Sequence, residues 1–196
     1  MHPFSLDSDV RRRVAYVLGG VAIGLAYAVG AAMTAADVNA PWWVDMPGPI
    51  GILGLLLGLM EVWLWRLAPM RAVLGVPLLE GEWDVEVRSS HESHAVPVGG
   101  KARIKQTWTK LAIEFEMRES RSKSTTAAMT LASGATPELV YTYGNEPLPG
   151  ARNTMVPFIG MARLRIEGDG LLVGDYFTGR GRQTHGSITL RRRPRL

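Results

Sequence analysis

Two long apolar segments near the start of the chain, joined by a short acidic connection and bracketed by arginines, limit what it can fold into more than any other feature. Residues 14–36 make 23 consecutive positions without a charge. At 1.5 Å rise per residue, a helix of that length spans a hydrocarbon core of roughly 30 Å. Residues 46–65 make a second segment of 20, interrupted only by Glu61, with Trp63 and Trp65 where an interfacial aromatic belt belongs. The pattern predicts a transmembrane helical hairpin over residues 1–71, with helices at about 14–36 and 46–67.

Arg11, Arg12 and Arg13 precede the first segment and Arg66 and Arg71 follow the second, whereas the connection carries Asp37 and Asp45. By the positive-inside rule both termini, and everything after residue 71, lie on the cytoplasmic side. A secretory signal peptide shares this layout, down to the small residues Ala35 and Ala36, but its apolar region is much shorter. Glu61 sits near the cytoplasmic end of its helix, where an ion pair with Arg11–Arg13 is a better reading than an ion pathway. Gly20, Gly24 and Ala28 recur every four residues in the first helix, as do Gly54 and Gly58 in the second. Such stripes let another backbone approach closely, either the other helix of the same chain or a helix of a second copy.

Beyond Pro69, Gly75 and Pro77 the texture changes to short runs of period-two alternation. Trp83, Val85 and Val87 alternate with Asp84, Glu86 and Arg88, and a loop through Pro97, Gly99 and Gly100 follows. Ala102, Ile104, Gln106 and Trp108 then alternate with charged or polar neighbours, and Leu111, Ile113, Phe115 and Met117 do so after a corner near Thr109 and Lys110. A Ser-rich turn at residues 120–124 leads to strands at 126–131, 139–145, 159–167, 171–178 and 184–191, the third and fourth joined at Gly168-Asp169-Gly170. Eight antiparallel strands in up-and-down order close into a small barrel, because closure removes exposed edges. The expected architecture is therefore a membrane-anchored all-β protein, with a lipocalin-like barrel over residues 78–196. Its lumen is partly polar, since Tyr141, Tyr143, Asn145, Tyr176, Thr178 and His185 share a phase with apolar residues.

Of the 22 Lys+Arg and 18 Asp+Glu, the surplus of +4 lies wholly in the soluble part, because residues 1–77 are balanced. That suits a small anionic ligand or an anionic leaflet and is too little for a long nucleic acid. The chain has no cysteine, which excludes disulfides and thiolate metal ligands, and its four histidines lack zinc spacing. No nucleophile elbow, Walker loop, HExxH or paired-carboxylate spacing occurs, so no enzyme, metal or cofactor is expected. Arg180 and Arg182 flank Gly181 in a tight turn and could present two guanidinium forks to phosphate oxygens, or could simply be solvated. Tyr141, Tyr143, Tyr176 and Trp108 offer faces on which bases stack, with core packing the plainer use of each.

Four stretches carry a family resemblance: Gly81-Glu82-Trp83, Gln106-Thr107-Trp108, Tyr141-Thr142-Tyr143-Gly144-Asn145-Glu146-Pro147, and Gly174-Asp175-Tyr176-Phe177-Thr178-Gly179-Arg180-Gly181-Arg182 followed by Gly186. With the helical hairpin before them, the chain resembles the two-transmembrane, β-strand-rich effectors of bacterial cyclic-oligonucleotide-based antiphage signalling (CBASS). The resemblance spans nearly the whole chain, and its most specific parts are the two longer stretches. It implies a barrel that binds a cyclic dinucleotide made by a partner nucleotidyltransferase during infection. It further implies homo-oligomerisation at the bacterial inner membrane, disruption of the bilayer and death of the infected cell. The pocket would draw on Arg180, Arg182, Tyr141, Tyr143, Asn145, Tyr176, Thr178 and Trp108. The residues alone leave two other classes open: a membrane-tethered lipocalin-like carrier of a lipid or other apolar ligand, and a structural subunit of an envelope complex.

Overall fold

The computed structural model describes the whole chain except residues 38–47, 93, 95, 132–135, 152–154, 169, 180–181 and 195–196. The chain forms two compact units, one of Asp9–Leu74 and the other of Met1–Ser8 with Gly75–Leu196.

In the first unit, α1 covers Val10–Ala35 and is the one described helix long and apolar enough to cross a membrane. The second helix, α2, covers Gly48–Val62, about 22 Å at the helical rise and short of a hydrocarbon core. Its expected run to residue 67 does not occur. The chain passes through a 3-10 turn at Leu64–Arg66 into a short helix, α3, at Ala68–Leu74. The chain leaves helical geometry at Trp63, with φ −133°, well before Pro69, whose missing N–H is tolerated in the first turn of α3. The connection between α1 and α2, with Asp45, lies outside the described residues.

The two helices pack on each other through faces that bury Ala22 and Met60. Gly20, Gly24, Ala28, Gly54 and Gly58 are all exposed, and a Cβ added at any of these four glycines meets nothing within 4 Å. The stripes therefore do not pack α1 on α2, which removes one of the two uses that the sequence left open. Glu61 lies near enough to Arg11 to act on it electrostatically.

The second unit is a closed barrel. Its strands are β1 (His2–Leu6), β2 (Gly81–Ser89), β3 (Pro97–Gln106), β4 (Lys110–Met117) and β5 (Ser120–Thr130), then β6 (Glu138–Pro147), β7 (Phe158–Glu167), β8 (Leu171–Thr178) and β9 (His185–Arg192). From β2 onward each strand pairs antiparallel with the next, and β9 returns to β2. This is the expected up-and-down order.

The expected count of eight strands is corrected to nine. β1 lies between β4 and β5, antiparallel to the first and parallel to the second, so residues 1–8 belong to the barrel and not to the helical unit. Direct β4–β5 pairing is confined to Glu114↔Lys123, Phe115↔Ser122 and Glu116↔Arg121. A bulge between Ser124 and Thr126 then bends β5 away, and β1 fills the opening with Phe4 only 3% exposed. Two expected loops are also strand. Residues 97–100 pair with β2, with Pro97 as the first residue of β3, where its missing N–H is tolerated. The supposed turn at 120–124 pairs with β6.

Alternating strand direction puts the turns after β3, β5 and β7 at one end of the barrel, together with the exit from β1 and the entry to β2. That end is sealed by residues 76–80. Gln106 Oε1 accepts from Leu79 N at 2.7 Å while its Nε2 donates to Pro77 O at 3.1 Å. Trp83 Nε1 donates to Leu79 O at 3.0 Å, and Arg192 donates to Leu78 O with its guanidinium 4.7 Å from the Trp83 ring centre. Trp83 and Gln106, two residues of the resembling stretches, thus hold the incoming chain against the barrel. On the outer wall acidic and basic side chains of neighbouring strands meet through Glu82–Arg103, Glu116–Arg121 and Glu138–Arg163, with all but the half-buried Glu138 exposed, and surface pairs of this kind are worth about 0–1 kcal/mol each.

Candidate functional site: the polar end of the barrel

The inward rows change character along the barrel. Toward the sealed end they present Trp83, Ile104, Ile113, Leu139, Leu164, Leu172 and Leu190, all fully buried. Toward the other end the same rows carry Phe115 on β4, Ser120 and Ser122 on β5, Tyr141, Tyr143 and Asn145 on β6, Gly160 on β7, and Tyr176 and Thr178 on β8. Strict alternation along β6 causes this, since Leu139, Tyr141, Tyr143 and Asn145 are buried while Val140, Thr142, Gly144 and Glu146 are not.

Four rings run from mid-barrel to rim. Phe115 and Tyr141 are near parallel with centres 6.1 Å apart, Tyr141 and Tyr143 follow at 6.0 Å, and Phe158 meets Tyr143 edge-on at 6.5 Å. The Arg182 guanidinium caps the series 5.2 Å from the Phe158 ring centre, a cation–π distance. Gly160 is required here, because a Cβ at that position would land on the Tyr143 phenol ring. Gly186 is required by its neighbour strand, because a Cβ there would land on the Arg88 carbonyl oxygen, and it also leaves room for Tyr176, whose Cε1 would be 3.0 Å away.

Ser122 Oγ donates to Asn145 Oδ1 at 2.8 Å. Asn145 Nδ2 faces Met155 Sδ at 3.7 Å, a thioether and so a weak acceptor. The amide carbonyl is thereby occupied while its N–H groups are held by the weakest kind of partner. Burial pushes the Tyr141 phenol well above its ordinary value of 10.0. The Tyr143 phenol is also pushed up, first by burial and then by Tyr176, against an opposing pull from Arg182. Both phenols are therefore neutral at physiological pH and do not repel an anion.

The structure brings together most but not all of the residues that the sequence singled out. Tyr141, Tyr143, Asn145, Tyr176, Thr178 and Arg182 gather at the polar end. The Thr178 hydroxyl accepts from Thr184 N at 2.9 Å, and Thr178 N donates to Thr184 O at 2.8 Å, so this residue closes the β8–β9 turn. Arg180 lies outside the described residues. Trp108 is buried in the β3–β4 turn, at the sealed end; it shared strand phase with Gln106, and phase does not distinguish the two ends of a barrel. Ser122, Phe115, Phe158 and Gly160 were not singled out. The alternation Ser120-Arg121-Ser122-Lys123-Ser124 was the available signal for Ser122.

The cluster offers aromatic faces, amide and hydroxyl groups and one guanidinium, and among the described residues no group of three or more His, Asp or Glu could hold a metal ion. A family model described as Cap15, cyclic dinucleotide receptor domain, matches residues 74–192, which include all of β2 to β9. The chain is also similar to CD-NTase-associated protein 15 of Yersinia aleksiciae, 34% identical over 130 residues, or 66% of this chain and 62% of that protein. It thus spans less than two thirds of that relative's length.

Proposed function

The chain belongs to the Cap15 cyclic dinucleotide receptor domain family, and on that premise we propose that it is a membrane-anchored antiphage effector whose barrel takes a cyclic dinucleotide at the polar end. The observation that carries this reading is the run Arg182–Phe158–Tyr143–Asn145–Ser122 at one end of the lumen. A cyclic dinucleotide presents two phosphates and two bases. A guanidinium suits phosphate oxygens, rings suit base faces at about 1–3 kcal/mol each, and the Asn145 amide has donors to offer a base edge or a sugar–phosphate oxygen. The ligand is the activating signal and is supplied by a partner nucleotidyltransferase. The barrel performs no chemistry on it and takes no long nucleic acid.

In this reading α1 and the α2 segment anchor the chain in the bacterial inner membrane, with the barrel on the cytoplasmic side. Ligand binding favours a form that assembles through the exposed stripes of α1 and α2, and assembly disrupts the bilayer and kills the infected cell. The filled apolar half of the lumen supports a receptor over a lipid carrier, since the space that an acyl chain needs is taken by Trp83, Leu139, Leu164, Leu172 and Leu190.

The test is a thermal-shift screen of the full chain in detergent against cyclic di-AMP, di-GMP, di-UMP and GMP–AMP, with fatty acids and phospholipids alongside. Because ligand binds only the folded state, 100-fold saturation should add about 2.7 kcal/mol to stability. Stabilisation by lipids and by none of the cyclic dinucleotides would replace this reading with the carrier.

A further inference from the structure

β1 is an added strand in a barrel that closes without it. β2 to β9 pair in an unbroken circuit, β4 meeting β5 directly over three residue pairs, and the family match starts at residue 74, so that it omits β1. β1 is held by His2↔Leu111 and Pro3↔Lys110 on one side and by Phe4↔Ala127, Ser5↔Ala128 and Leu6↔Met129 on the other. Phe4 supplies its buried side chain, and Leu131 N donates to Asp7 Oδ1 at 2.6 Å.

The pivot of this seam is Ser124. Its Oγ accepts from Ile113 N at 2.9 Å, standing in for the ladder bond that β4 loses where β5 bends away, and it lies 2.8 Å from His2 Nε2. Two residues along the same strand, Ser122 holds Asn145 in the polar end. A ligand that engages Asn145 or Ser122 therefore acts on β5 directly beside the place where β1 is inserted. At its other end β1 runs into α1 through residues 7–9 alone.

We infer that β1 is a detachable strap: the β4–β5 seam retains it when the polar end is empty, and ligand at that end releases it, freeing the start of α1 for assembly between copies. Seam with strap and seam without strap are two discrete arrangements of the same strands, which is what a ligand needs in order to shift a population. The inference rests on the proposed ligand site and adds the route by which that site reaches the helices.

The chain has no cysteine, so one introduced pair forms a single defined disulfide. Ser5 and Ala128 are registered partners on β1 and β5, in the phase that faces out of the lumen. The Ser5→Cys, Ala128→Cys double variant of the full chain is prepared in detergent micelles, oxidised or reduced with dithiothreitol. It is mixed with whichever of cyclic di-AMP, di-GMP, di-UMP or GMP–AMP stabilises the parent. The oxidised form should bind that nucleotide with parental affinity yet remain at its ligand-free size in light scattering, and dithiothreitol should restore assembly. Assembly of the oxidised form equal to the reduced form would overturn the strap, as would loss of nucleotide binding on oxidation, since the strap lies downstream of an intact site. A second variant, Phe4→Ala, loosens β1 without any crosslink and should assemble at a lower nucleotide concentration than the parent. A higher requirement with unchanged binding would overturn the inference. If the parent bound the nucleotide at a site unaffected by Arg182→Ala, the proposed site itself would be wrong and the strap would fall with it. Parental assembly that oxidation leaves untouched removes the strap alone.

Discussion

The hydroxyl of Ser122 donates a 2.8 Å hydrogen bond to the amide oxygen of Asn145 across the β5–β6 pair, with both residues buried. This bond decides which half of the Asn145 amide a ligand meets, because it engages the carbonyl and turns the N–H groups toward Met155 and the rim. Ser122→Ala should leave the carbonyl without its donor and free the amide to turn over. Such a loss costs about 1–3 kcal/mol of stability, and nucleotide affinity should fall with it. Calorimetric titration beside a melting curve checks both. Unchanged affinity in a folded Ser122→Ala protein would place Asn145 outside the ligand site.

Arg182 is the one described guanidinium stacked at the polar end, over Phe158. Arg182→Ala should weaken the nucleotide at least tenfold, in line with the roughly 1.5–3 kcal/mol of a hydrogen bond to a charged group. Arg180→Ala is expected to act in the same direction if both arginines of the turn reach phosphate. Lysine at 182 should recover only part of the loss, since it keeps the charge but not the planar fork. Full affinity in Arg182→Ala would make this an ordinary solvated turn.

Tyr141 and Tyr143 hold their phenols above the ordinary value of 10.0. The unfolded chain therefore ionises first as pH rises. The stability that these neutral phenols confer is complete below pH 10 and is lost as pH climbs from there toward their folded-state values, by at most about 1.4 kcal/mol per pH unit for each. Melting temperatures taken from about pH 8 to pH 11 should show the fall, and Tyr143→Phe should make it shallower. If the Tyr141→Phe, Tyr143→Phe double variant falls as steeply as the parent, the alkaline loss comes from other groups.

The barrel order and the Tyr141–Tyr143–Asn145 row were legible because β6 alternates without interruption and its side-chain phase fixes which residues share the lumen. The ninth strand was not. Residues 2–6 hold one residue that becomes buried and one proline, and their strand state depends on partners more than 100 positions away in sequence, at Leu111 and Ala127 to Met129. Ser122 was missed for a different reason: serine-rich composition favours turns, and it masked a period-two pattern that the pairing with β6 makes decisive. Trp108 fitted the phase of the lumen but not its end, which requires strand direction and turn position together. The end of α2 at Val62 was not legible, because the apolar run continues through Leu67 and the first helix breaker, Pro69, lies seven residues farther on.

Gly20 and Gly24 sit on an exposed face of α1, where an added Cβ meets nothing within 4 Å, so bulky residues there should leave the packing of α1 on α2 through Ala22 and Met60 intact. If this face serves association between chains, Gly20→Leu or Gly24→Leu should block close approach of a second helix. The variant should insert normally and bind nucleotide normally while assembly and killing are lost. Membrane fractionation measures insertion, and a potential-sensitive dye measures depolarisation in the same cells after the cognate nucleotide is produced. Low protein in the membrane fraction would mean that the substitutions disturb the helical unit itself and leave the assembly role of this face unsupported. Normal depolarisation by a well-inserted Gly20→Leu, Gly24→Leu double variant would clear this face of α1 of any part in assembly and move attention to Gly54 and Gly58 on the exposed face of α2.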